Sequence, residues 1–189
     1  MRTFIAIELD ESIKAELQRA QGFFEDLHGK VQWTKPAQMH LTIKFLGEVP
    51  EDRIDRLKEV LCENAAKVEP FEFRVEGLGS FPPAGRQLKI LWAGVNAPGQ
   101  LSQLNDLFQQ ACTEFDCPPE QRRFSPHLTL GRIKDVRNPQ AYRQIIIDRG
   151  KFSAGLQQVN SITLFRSDLR SEGAVYTRLE TAKLGHDPG

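Results

Sequence analysis

Apolar and polar side chains alternate from the first residues onward, and Phe4 to Glu8 reads as a strand. The period then changes. Asp10 opens a segment in which Ile13, Leu17, Phe24 and Leu27 share one helical face. Alternation returns at His40-Leu41-Thr42-Ile43, where the two apolar residues point one way and the imidazole and hydroxyl the other. Pro50 then starts a helix bearing Ile54, Leu57, Leu61 and Ala65, and Phe71-Glu72-Phe73-Arg74-Val75 reads as a further strand.

The same succession recurs later in the chain. The tetrapeptide His127-Leu128-Thr129-Leu130 repeats the first motif 127 − 40 = 87 positions on. At that offset, Leu91 to Val95 matches the first strand. Leu101, Leu104, Phe108 and Phe115 after Pro98 match the first helix. Pro139 starts a helix with Tyr142, Ile145 and Ile146, and Val159 to Leu164 supplies the closing strand. Turns at Pro82-Pro83-Ala84-Gly85 and near Ser171-Glu172-Gly173 join neighbouring strands as hairpins. The expected fold is α+β: two pseudo-symmetric lobes from an internal duplication, antiparallel sheets forming a central cleft, and helices outside. We expect a single bilobal domain over residues 1–189, with repeat halves of roughly 1–80 and 88–166 and a C-terminal hairpin over 167–184.

Composition narrows what such a fold can do. The 25 basic and 25 acidic residues balance, which argues against a protein that coats long nucleic acids but leaves room for one that grips an RNA end. Cys62, Cys112 and Cys117 have neither disulfide-framework nor metal-ligand spacing, so reduced thiols in a cytoplasmic protein are expected, with no metal and no cofactor. No apolar run reaches the length of a membrane helix, and the acidic N-terminal strand does not read as a signal peptide. The tail after Leu184 reads as frayed, with His186 a bystander.

Two histidines on matched strands suit acid–base chemistry at a phosphate. Near neutral pH one imidazole can accept a proton while the other donates one, on opposite sides of a phosphorus atom. Thr42 and Thr129 would donate hydrogen bonds to non-bridging oxygens, and Lys44, Arg132 and Lys134 are candidate cations. Parity complicates two positions. In an unbroken strand Phe45 and Arg132 lie at i+5 from their histidines and face away, which would make Phe45 core and Arg132 an exposed strand end. A bulge at Gly131 would re-aim Arg132, and a bend of the strand at Phe45 would free that ring to stack on a base. Arg122, Arg123 and Arg137 bracket the second motif as solvated surface or as weak backbone contacts.

The stretches HLTIKFLG (residues 40–47) and SPHLTLGRI (125–133) resemble the paired motifs of the two-histidine phosphoesterases. The likeness is to their bacterial and archaeal RNA 2′,3′-cyclic phosphodiesterases, historically named 2′-5′ RNA ligases. Met1 to Ala6, Val31-Gln32-Trp33, Leu164 to Leu169 and Gly173 to Tyr176 are similar to other parts of that family, so the resemblance covers nearly the whole chain. It implies the patterns His-x-Thr-x-x-Phe at His40, Thr42 and Phe45, and His-x-Thr-x-x-Arg at His127, Thr129 and Arg132. By that resemblance His40 is the general acid for the leaving ribose oxygen and His127 the general base for water. Arg132 contacts phosphate, Phe45 stacks on the base, and the product is a 2′-phosphate.

The expected activity is metal-independent hydrolysis of RNA 2′,3′-cyclic phosphate ends by a monomer, with an RNA 3′ end or a small cyclic nucleotide as substrate. Reversible 2′-5′ RNA ligation is an alternative with the same groups. A non-catalytic RNA- or nucleotide-binding module is the alternative outside enzymes.

Overall fold

The computed structural model describes residues 1–83, 87–96, 99–171 and 173–185. In chain order the elements are β1 (Arg2–Glu8), α1 (Glu11–Gly22), β2 (Gly29–Trp33), β3 (His40–Glu48), α2 (Ile54–Ala65), β4 (Phe71–Phe81) and β5 (Ile90–Asn96). They continue with α3 (Gly99–Ala111), β6 (His127–Val136), α4 (Pro139–Asp148), β7 (Ser153–Val159), β8 (Ser161–Arg170) and β9 (Gly173–Lys183). The strands form two antiparallel sheets, sheet one in the order β3-β1-β8-β9 and sheet two in the order β2-β6-β5-β4-β7. The fold is α+β with two pseudo-symmetric lobes, as the repeated pattern suggests.

The helices form where the apolar residues recur every third or fourth position. Ile13, Leu17 and Ala20 are the buried face of α1; Ile54, Leu57, Leu61 and Ala65 that of α2; Leu101, Leu104 and Phe108 that of α3. Pro139 opens α4, and Asn138 caps it by accepting a hydrogen bond from the Ala141 N–H at 3.2 Å. After Pro50 the chain makes a short 3-10 turn, Glu51–Arg53, before α2 begins. One continuous core runs behind both sheets, joining Ile5, Ile7, Leu41 and Ile43 to Leu91, Ala93, Leu128 and Leu130.

Each half of the chain contributes to both lobes. β4 pairs with β5 in sheet two, while β8 pairs with β1 in sheet one. Helices are exchanged in the same way: α2 and α3 pack behind sheet one, α1 and α4 behind sheet two. The stretch from Val159 to Leu164, expected as one strand, is broken at Asn160, because β7 belongs to sheet two and β8 to sheet one. The hairpin turns fall between β4 and β5 and between β8 and β9; Ala84, Gly85, Glu172 and His186 lie outside the described residues.

Candidate active site

Both motif strands begin at their histidine. In β3, His40 lies opposite Glu8 of β1, Thr42 opposite Ala6 and Phe45 opposite Phe4. In β6, His127 lies opposite Gly94 of β5, Thr129 opposite Trp92 and Arg132 opposite Ile90. The pairing of β3 with β1 slips by one residue between Thr42 and Lys44, leaving Ile43 without a partner of its own. The pairing of β6 with β5 slips at the corresponding place, between Thr129 and Gly131. Two successive residues are therefore buried in each strand, Ile43 with Lys44 and Leu130 with Gly131.

These matched bulges reverse the parity of the residues just beyond them. Phe45 emerges 49% exposed on the imidazole side, not in the core, and Arg132 is exposed at the equivalent position. The bulge does not itself need glycine, since Lys44 occupies the same place in β3. Gly131 is required for a different reason: a Cβ there would lie 2.7 Å from the Trp33 ring and 2.8 Å from the Val31 side chain.

Although they belong to different sheets, β3 and β6 approach within 8 Å between Cα atoms. Tyr176 of β9 ties the two motifs together. Its ring meets His40 edge-on at 5.2 Å, and the charges of Arg132 and Arg2 oppose the burial that raises the pKa of its hydroxyl. Tyr176 thus lies beside His40 of the first motif and within reach of the charge of Arg132 beyond the second.

The two imidazoles are held alike on one side and differently on the other. His127 directs Nδ1 at the Ser125 carbonyl at 2.8 Å, so Nδ1 carries the hydrogen, and Nε2 has no hydrogen bond among the described residues. His40 likewise bonds the backbone of Gln38, two residues before it. Around the His127 ring stands Phe81, edge-on at 5.1 Å. Around His40 stand Phe4 stacked at 4.8 Å, Phe165 at 6.3 Å and Tyr176. This aromatic enclosure pushes the His40 pKa down to about 4, with the Gln38 bond and the charge of Glu8 opposing the burial. Glu8 is itself gripped by Arg178, through Nε at 2.5 Å and Nη2 at 2.7 Å.

Other cations expected near the phosphate lie elsewhere. Lys44 is buried on the far side of β3, where Nζ donates to Gln109 Oε1 (2.7 Å) and to the Pro118 carbonyl (3.0 Å), so it serves packing rather than the cleft. Lys134, Arg122, Arg123 and Arg137 are exposed. Phe4, Phe81, Phe165 and the Glu8–Arg178 pair escaped the sequence reading, because only the strand register brings them to the histidines. The three cysteines are free; Cys117 donates to the Phe45 carbonyl at 3.2 Å. Among the described residues no three His, Cys, Asp or Glu side chains converge as a metal site would require.

Comparison with known proteins places this arrangement. The LigT-like phosphoesterase profile matches residues 7–92 and 94–176, each containing one motif. The chain belongs to the LigT-like phosphoesterase family. It is 32% identical to the RNA 2′,3′-cyclic phosphodiesterase of Methanothermobacter thermautotrophicus over 97% of this chain and 99% of that one. The crystal structure of TT0787 of Thermus thermophilus superposes with a TM-score of 0.83 at 30% identity, over 98% of each chain. E. coli LigT complexed with 3′-AMP shares the fold, with a TM-score of 0.77 at 23% identity over 98% of each chain. No helix among the described residues is long and apolar enough to cross a membrane.

Proposed function

We propose that this phosphoesterase hydrolyses the 2′,3′-cyclic phosphate at RNA 3′ ends to a 2′-phosphate, by histidine acid–base catalysis and without a metal ion. The observation that supports the reading is the pair of matched bulges, which turn Phe45 to the side of β3 that carries His40 and Thr42, and Arg132 to the side of β6 that carries His127 and Thr129. The names of relatives such as the Methanothermobacter enzyme support the substrate class.

In this reading the phosphate sits between the motifs, with Thr42, Thr129 and Arg132 donating to its non-bridging oxygens. His127 supports the role of base, because its Nδ1–H is committed to Ser125 and the free Nε2 can take the proton of the attacking water. The water oxygen bonds to phosphorus as the bond from phosphorus to O3′ breaks, and O3′ takes a proton from His40. With a pKa near 4, His40 is neutral in the free protein at pH 7, so it must gain a proton when substrate binds. The anionic phosphate, together with Glu8 across the strand pair, supplies the field that favours this uptake. Phe45 stacks on the terminal base, and the same protein acts as a cytoplasmic monomer.

Incubation with a 2′,3′-cyclic-phosphate oligoribonucleotide in excess chelator tests the whole reading. The expected product is a 2′-phosphorylated end. Joined strands would favour ligation, binding without turnover would favour a non-catalytic module, and activity lost to chelator but restored by zinc or magnesium would contradict the metal-free mechanism.

A further inference from the structure

The cleft face of sheet one does not end at the base platform. β1 pairs with β8 in unbroken register, Thr3 to Arg166 through Ala6 to Thr163, so Arg2 emerges on the same face as Phe4 and Ala6. Phe4 touches His40 at 4.8 Å and Phe45 at 5.5 Å, and Arg2 stands one strand repeat further on, roughly 7 Å away at a rise of about 3.4 Å per residue. Extending the register places Arg2 beside Ser167, which lies opposite Tyr176 on β9.

An open cavity of about 300 Å³ occupies this end of the sheet, lined by Arg2 and Ser167 together with Arg166, Glu48, Glu51 and Asp168. Its charges are mostly spent on one another. Asp168 accepts from Arg166 Nε at 2.8 Å, and Glu48 faces the Met1 nitrogen at 3.2 Å. Arg2 and Glu51 differ: neither side chain has a hydrogen bond or ion pair among the described residues, and the charge of Arg2 reaches the Tyr176 hydroxyl. An exposed guanidinium at the end of an aromatic floor, with a serine beside it, has the donors that a phosphodiester takes.

We propose that Arg2 and Ser167 form a second phosphate subsite, which takes the internucleotide phosphate on the 5′ side of the terminal nucleoside. The proposal rests on reading the cleft as a cyclic-phosphate site. The chemistry fixes the direction. With the 2′,3′ edge of the ribose turned toward the histidines, its base and its C5′ both point away from them, toward Phe45 and Arg2. The protein is therefore built for RNA chain ends in preference to mononucleotides.

The test compares three substrates with the same terminal base: a nucleoside 2′,3′-cyclic phosphate, a dinucleotide ending in that group, and the same dinucleotide with a neutral methylphosphonate linkage. The charged dinucleotide should exceed the mononucleotide in kcat/KM by about tenfold, the worth of one charge-assisted hydrogen-bonded contact. Neutralising the linkage should remove most of that advantage without altering the protein. Arg2→Gln should do the same, and the two changes together should cost no more than either alone. A dinucleotide advantage that survives Arg2→Gln, or a loss that falls equally on mononucleotide and dinucleotide, would overturn the subsite. If wild-type protein turns over none of the three, the cyclic-phosphate reading fails instead. The subsite is then judged by calorimetric binding of 3′-phosphorylated mononucleotide and dinucleotide, where Arg2→Gln should weaken only the second and an equal effect on both would again overturn it.

Discussion

The motif strands β3 and β6 carry the same plan into two different neighbourhoods. β3 is the edge of sheet one, and its bulge sends Lys44 backwards to Gln109 and Pro118. β6 lies inside sheet two, where β2 lays Trp33 across the equivalent residue, Gly131. Opposite His40 stands the carboxylate of Glu8; opposite His127 stands Gly94. His40 is walled by three aromatic rings, and His127 has the edge of Phe81. The motif repeats the same side chains, and the partner strands set how far each is enclosed; for His40 that enclosure lowers the pKa. An internal repeat can thus yield unequal partners without changing its own motif.

The largest effects should come from deleting either partner. His40→Ala and His127→Ala are each expected to lower the rate by about 10²–10⁴-fold, the usual worth of a positioned acid or base. Folded single mutants assayed on one cyclic-phosphate oligonucleotide check this, and near wild-type turnover in either would break the comparison. Arg132→Lys keeps the charge but loses the planar two-pronged contact, so it should raise KM and lower kcat at every pH. Phe45→Ala should act on KM, by about 1–3 kcal/mol of lost stacking, and should leave the thermal midpoint near wild type because the ring is already half in solvent.

A smaller effect sharpens the difference between the imidazoles through stability. The folded pKa of His40, about 4, lies below the usual unfolded value of about 6.5. Between those values the unfolded chain binds the extra proton, so stability is full above about pH 6.5, declines as pH falls toward 4, and levels off below it. The decline attributable to His40 is on the order of 3 kcal/mol. Urea midpoints measured across this range should show it in wild type, and His40→Gln should flatten it. Thr42→Ala and Thr129→Ala should have the mildest effect on turnover, since each removes one neutral hydrogen bond worth about 1 kcal/mol.

Much of this architecture was legible in the sequence where burial follows a local period. The faces of α1, α2 and α3 and the alternation of β4 are examples, with Phe71, Phe73 and Val75 buried in turn. The histidine pair was legible because it is repeated. β7 was not: Ser153 to Val159 is polar, kinks at Gly155 with a φ of +109°, and buries Gln157 so that its side chain can accept from the Asp10 N–H. β2 is a thinly buried edge strand with little apolar signal. Lys44 was misplaced because a cation beside a histidine motif suggests a ligand, whereas the bulge turns it inward. The enclosure of His40 was hidden for a related reason. Phe4 comes from β1, and Phe165 and Tyr176 from the β8–β9 hairpin near the other end of the chain; only the pairing of β8 with β1 in sheet one joins them.

The central claim is that His40 is neutral in the free protein and becomes the proton donor when the anionic substrate arrives. Nitrogen NMR of histidine-labelled protein, with and without a bound ribonucleoside 2′-phosphate, measures this directly. The His40 ring should stay neutral in free protein down to about pH 4 and take up a proton at pH 7 in the complex, while His127 keeps its hydrogen on Nδ1. A His40 ring that titrates near pH 6.5 in the free protein, or one that stays neutral with the phosphate bound, would contradict it.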